Sequence, residues 1–88
     1  MRVIFLKSFL NDIKKIKDAK LKQRLNTIIE KLESAESLEE IANLKKLKGH
    51  PTAYRIKLGD YKLGLFYDQE EVKLVRFLKR NDIYKLFP

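Results

Sequence analysis

The spacing of apolar residues changes period once along this chain, and that change constrains the fold more than any other feature. From Phe9 to Leu32 apolar side chains recur every three or four residues, whereas from Tyr54 to Leu78 they alternate with polar ones. The first spacing belongs to helices and the second to strands. With 88 residues there is room for one core only. The expectation is a single α+β domain over residues 1–88: an N-terminal strand, a helical hairpin packed on one face of a twisted antiparallel sheet, and a short C-terminal helix.

Individual elements follow from local signals. Arg2-Val3-Ile4-Phe5-Leu6 reads as a short buried strand. Ser8 is the expected cap of a helix that turns Phe9, Leu10, Ile13 and Ile16 inward and Asn11, Asp12, Lys14 and Lys15 outward. Asp18 is the expected cap of the next helix, whose stripe is Leu21, Leu25, Ile28, Ile29 and Leu32. So short a joint predicts an antiparallel helical hairpin. Ser37-Leu38-Glu39-Glu40 has capping-box spacing and opens a helical turn through Ile41 to Leu44. Lys45 to Thr52, with Gly49 and Pro51, reads as a loop. Three strands follow, joined by turns at Gly59-Asp60 and Asp68 to Glu71, and the third, Val72 to Leu78, is apolar enough to be interior. Asn81 is the expected cap of a last helix, Asp82 to Phe87.

Charge narrows the partner. The net charge is +8, but residues 1–44 hold nine basic and seven acidic side chains while residues 45–88 hold eleven and five. Such an excess favours nucleic acid, an acidic protein or an anionic surface. The chain has no cysteine and one histidine, His50, which reads as a surface-loop residue. Disulfides, thiolate chemistry and a His-based metal site are therefore not expected, and neither is any cofactor. Glu36, Glu39 and Glu40 read as solvated helix charges, and no phosphate-cradling glycine loop is present. Val3 to Leu6 is too short for a signal sequence, and no run approaches the roughly 20 apolar residues of a membrane span. A cytoplasmic location and no membrane partner are expected.

Register then locates the charge. A two-residue turn at Gly59-Asp60 sets Leu58 opposite Tyr61, Lys57 opposite Lys62 and Arg55 opposite Gly64. One hairpin face is Tyr54, Ile56, Leu58, Tyr61, Leu63 and Leu65; the other is Arg55, Lys57, Lys62 and Gly64. Like charges directly opposite one another cost roughly 0.2–1 kcal/mol. An anionic partner would relieve that cost. Gly64 reads as a place where something approaches the strand closely. Arg80 ends the third strand, and Tyr84 follows one turn later. The plainer reading, a solvated sheet face with Tyr84 as a packing residue, has about equal weight for the strand cations and more for the tyrosine.

Four stretches, in this order, resemble the RelE/ParE superfamily, the toxin subunits of bacterial and archaeal toxin–antitoxin modules. They are Phe9 to Ile16, Leu44 to Gly49, Tyr54 to Leu63, and Arg80-Asn81-Asp82-Ile83-Tyr84. RelE-like members cut mRNA in the ribosomal A site. The resemblance implies catalytic roles for Arg55, Lys57, Lys62, Arg80 and Tyr84, with Lys45, Lys46, Lys48 and Lys79 as RNA-binding flanks. In the implied reaction the RNA 2′-OH attacks the adjacent phosphate without a metal. Arg55 and Arg80 hold the non-bridging oxygens, and Lys57 is the candidate base. Lys62 or Arg80 neutralises the leaving oxygen, and Tyr84 stacks on or orients the nucleotide. Lys62 stands where members commonly have Arg, and Lys79 where many have His. The implied partners are a cognate antitoxin, the ribosome and mRNA. ParE-like members share the scaffold and poison DNA gyrase, which is the alternative; a regulatory nucleic-acid-binding module without toxicity is a third class.

Overall fold

The computed structural model describes all 88 residues. Strand β1 (Arg2–Phe5) leads into helices α1 (Lys7–Lys14) and α2 (Ala19–Ser34), then a single 3-10 turn at Leu38–Glu40. Strands β2 (Leu44–Lys46), β3 (Ala53–Leu58), β4 (Tyr61–Asp68) and β5 (Glu71–Lys79) follow, and α3 (Arg80–Leu86) ends the chain. The sheet order is β1-β5-β4-β3-β2.

The α+β class, the leading strand, the two successive helices and the short last helix are as expected. The sheet is not wholly antiparallel: β1 pairs with β5 in parallel, with Val3 beside Val72. The helices carry the chain from β1 at one edge to β2 at the other, and a crossover of that length can join strands of either sense. The segment expected to be a loop from Lys45 instead opens as strand β2, which also takes Leu44 from the expected helical turn. Lys45 and Lys46 pair with Arg55 and Tyr54 along the outer edge of β3. Three residues are too few to show a period, so the free edge of β3 decides this pairing, not local propensity.

The main core has 14 buried residues. The α2 stripe of Leu21, Leu25, Ile29 and Leu32 meets Ile56, Leu58, Leu63, Leu65, Val72, Leu74 and Phe77 of the sheet. Asp18 caps α2 as expected, its carboxylate accepting from the N–H groups of Lys20 and Leu21 at 3.0 and 3.2 Å. Glu40 likewise accepts from the Ser37 N–H at 3.1 Å.

Helix α1 departs from its expected face. Leu6, not Ser8, is its N-cap; the Ser8 hydroxyl donates to the Val75 carbonyl at 2.6 Å. Asp12, expected outward, is 5% exposed and is the one buried charged residue. It accepts two hydrogen bonds from Arg76, at 2.8 and 3.0 Å, and one from the Phe77 N–H at 2.9 Å. A bulge in β5 explains both. Gly64 pairs with Arg76 but Leu65 with Leu74, so Val75 has no opposite number. A bulge leaves polar backbone groups without ladder partners and bends the strand; Ser8 and Asp12 supply hydrogen bonds there.

The second sheet face is not a plain solvated surface. Ala53, Ile83 and Phe87 form a separate small core, flanked by Leu47, Phe66, Val75 and Leu78. Helix α3 starts at Arg80 with Lys79 as its N-cap, so Asn81 lies inside the helix and not at its cap. Seven residues are too few for a helix to stand alone. Burial of Ile83 and Phe87 holds it, at about 1.5–3 kcal/mol per side chain.

Candidate nucleic-acid interface and active site

The β3–β4 hairpin closes at Gly59-Asp60, with Gly59 at φ +62°, which a glycine adopts without strain. Its register sets Lys57 opposite Lys62 and Arg55 opposite Gly64, as read from the sequence. Arg80 reaches the same end of the sheet because its backbone N–H donates to the Asp60 carbonyl at 3.0 Å. That bond ties the start of α3 to the hairpin turn.

Tyr84 is where these elements converge. Its hydroxyl accepts a hydrogen bond from Lys62 Nζ at 3.1 Å and another from Arg80 Nε at 3.1 Å. The Arg55 guanidinium stands 4.7 Å from the ring centroid, and Lys62 Nζ 5.2 Å. The hydrogen bonds from Lys62 and then Arg80, reinforced by their charges, hold the phenol below the usual tyrosine range. Both donors favour the phenolate, which accepts more strongly than the neutral hydroxyl. Tyr84 is thus no packing residue: it is 45% exposed.

Two clefts flank it. One, of about 800 Å³, is lined by Lys57, Lys62, Lys79, Arg80 and Tyr84 together with Asp60 and Asp82. The other, of about 680 Å³, is lined by Lys45, Lys46, Lys48, Arg55, Lys57, Lys62 and Tyr84. Every residue named from the sequence for the site therefore borders one of two openings that share Lys57, Lys62 and Tyr84. Asp60 and Asp82 were not singled out by sequence; their only signal was position, beside the turn and beside Arg80.

Arg55 is committed more than expected. Its Nη2 donates to the Phe87 carbonyl at 3.2 Å, and its Nε is buried with no partner. The close approach expected at Gly64 is made by the chain's own Phe87. A Cβ at Gly64 would lie 2.7 Å from the ring.

No family model matches the chain. It is 34% identical to Toxin RelE3 of Methanocaldococcus jannaschii over 89 residues, covering 100% of both chains. It superposes on the RelB-RelE antitoxin-toxin complex from Methanococcus jannaschii with a TM-score of 0.83 and 33% identity, covering 97% of this chain and 99% of that one. The intact E. coli RelBE toxin-antitoxin complex superposes with a TM-score of 0.65 at 28% identity, covering 89% of this chain and 94% of that one. Identity of 34% over the full chain and superposition at a TM-score of 0.83 agree: the chain belongs to the RelE family of toxins, the toxin half of toxin–antitoxin modules.

Proposed function

We propose that this toxin is an endoribonuclease that cleaves mRNA on the ribosome and so arrests translation and growth. One observation carries the reading: Lys62 and Arg80 donate to a single exposed hydroxyl, Tyr84 Oη, between two clefts lined by cations. RNA cleavage by internal attack needs a base at the 2′-OH and positive charge around the phosphorane. Tyr84, biased toward phenolate, fits the base better than Lys57, whose exposed ammonium makes no hydrogen bond that would fix it. The proton passes from the 2′-OH to Tyr84 Oη. The 2′-oxygen then bonds to phosphorus as the 5′-oxygen leaves, giving a 2′,3′-cyclic phosphate and a 5′-OH. Arg80 and Lys62 stabilise the charge that builds on the phosphorane, and Lys57, on the same cleft, gives a proton to the departing 5′-oxygen, which leaves as the 5′-OH. Lys45, Lys46, Lys48 and Lys79 would hold the flanking backbone.

Dependence on the ribosome follows from economy of parts. The two clefts are open and shared around one aromatic, Tyr84, so alignment for in-line attack is left to the ribosome. The partner is a cognate antitoxin, as in the RelB-RelE complexes this chain superposes on. An acidic helical or extended segment suits the basic face. The gyrase reading draws no support from the relatives described above, which are RelE toxins.

Mapping of mRNA 5′ ends in a translation extract tests the proposal. Cleavage is expected with the wild-type chain and is lost in Arg80→Ala and Tyr84→Phe. Intact mRNA with inhibited gyrase supercoiling would overturn it.

A further inference from the structure

Helix α3 carries Tyr84 but cannot hold its own place. It has seven residues, and its N-cap, Lys79, makes no side-chain capping bond. Four contacts fix its far end, and all of them meet at Phe87. The Phe87 ring lies over Gly64 and tilts against Phe66 at 5.2 Å between centroids. The Phe87 N–H donates to the Ile83 carbonyl at 2.9 Å. The Phe87 carbonyl accepts from Arg55 Nη2 at 3.2 Å. Tyr84 lies between Ile83 and Phe87, both buried, so its hydroxyl is placed by how deeply that ring seats.

We propose that Gly64 and Phe87 form a lock whose depth sets the position of Tyr84 Oη against Lys62 and Arg80, making both positioning residues for the cleavage site. Gly64 is not at a positive φ, so the turn argument for glycine does not apply. What it supplies is space. A methyl group there would sit 2.7 Å from Phe87 Cγ and Cδ2 and 3.0 Å from Cδ1. The flexible end of a side chain could swing clear of such a clash, but a buried ring has no room to do so. The ring must lift, and α3 lifts with it. Two hydrogen bonds of 3.1 Å do not survive a shift of an ångström. Gly64 also sits at the bulge and opposite Arg55, whose guanidinium bridges the Phe87 carbonyl and the Tyr84 ring. One lifted ring therefore disturbs the hydroxyl and its cationic neighbour together.

The inference rests on the ribonuclease reading only for the word cleavage; the placement of Tyr84 can be tested without it. The experiment titrates the Tyr84 phenol by phenolate absorbance, subtracting the Tyr84→Phe spectrum, in wild type, Gly64→Ala, Phe87→Ala and the double variant. Wild type is expected to ionise below the ordinary tyrosine range, and both single variants at or near it. Cleavage is expected to fall at least tenfold in each single variant. The two losses should not add, because a methyl at position 64 harms only through the ring; the double variant should match Phe87→Ala. Retained far-ultraviolet dichroism separates mispositioning from unfolding, and the main core lies on the other sheet face. Unchanged phenol titration in Gly64→Ala, or fully additive losses in the double variant, would overturn the lock. Normal titration shifts with no cleavage by the wild type would leave the lock standing and sink the ribonuclease reading instead.

Discussion

The Lys62 ammonium donates to the Tyr84 hydroxyl at 3.1 Å, joining a β4 side chain to one 22 residues later on α3. The bond makes the tyrosine more acidic and takes one lysine of a like-charged pair into useful contact. In the proposed reaction it also sets when the base is ready.

Cleavage by the wild-type toxin should rise with pH as Tyr84 loses its proton, and level off before the ordinary tyrosine range. Lys62→Met removes the larger cause of the lowered value, so the rising limb should move to higher pH. Tyr84→Phe should lose about 10²–10⁴-fold at the plateau. Single-turnover rates on programmed ribosomes across pH check all three. The same shift has a sign for stability. A depressed tyrosine pKa favours the folded state only above that lowered value, growing as pH rises toward the unfolded value. Lys62→Met should flatten that alkaline gain in denaturant titrations.

Lys57 and Lys62 stand directly opposite each other, and Lys57 is exposed. Lys57→Gln should leave the fold as stable or more so, by roughly 0.2–1 kcal/mol at low salt. The difference should fade as salt rises. Cleavage should fall in the same variant. Stability gained and activity lost by one substitution is what a charge kept for function gives; paired urea curves and cleavage assays measure both.

The basic edge formed by Lys45, Lys46 and Lys48 should contribute affinity without chemistry. Replacing all three with Gln should reduce the slope of log affinity against log salt by roughly 2 for a single-stranded RNA, at about 0.7 per lost phosphate contact. Single-turnover cleavage at saturating ribosome should change little. Fluorescence anisotropy over a salt series reads the first, and quench-flow cleavage the second.

Asp12 should be the most costly polar position in the fold. Asp12→Ala leaves Arg76 unpaired and the Phe77 N–H without a partner. Breaking a fully buried pair costs about 3–5 kcal/mol; the Arg76 side chain is 25% exposed, so about 2–4 kcal/mol is expected. Equilibrium urea denaturation measures it. Asp12→Asn, which still accepts one hydrogen bond, should lose less.

The legible parts of this protein were those decided within a few residues. Asp18 capped α2 because a short carboxylate reaches the next two or three N–H groups. The Gly59-Asp60 turn fixed the hairpin register, and period-two alternation then put Lys57 across from Lys62. The cations of the proposed site are legible for the same reason. Their grouping around Tyr84 was suggested by the family resemblance, but their hydrogen bonds were not.

Asp12 is buried although a helical wheel scores a carboxylate as outward. Only the bulge at Val75, made by packing β4 on β5, supplies the arginine and N–H that reward burying it. The same bulge takes the Ser8 hydroxyl away from the helix cap and onto the Val75 carbonyl.

What the sequence by itself determined is the class of fold, the core stripe of α2 and the basic face of the hairpin, since each is a repeat or a turn of short range. Tertiary structure alone decided that β1 runs parallel to β5, that Gly64 is filled by Phe87, and that the Tyr84 hydroxyl accepts from two cations. Those depend on pairs far apart in the chain. Such pairs form by closing loops whose ends carry no local signal of one another, and steric fit chooses among them.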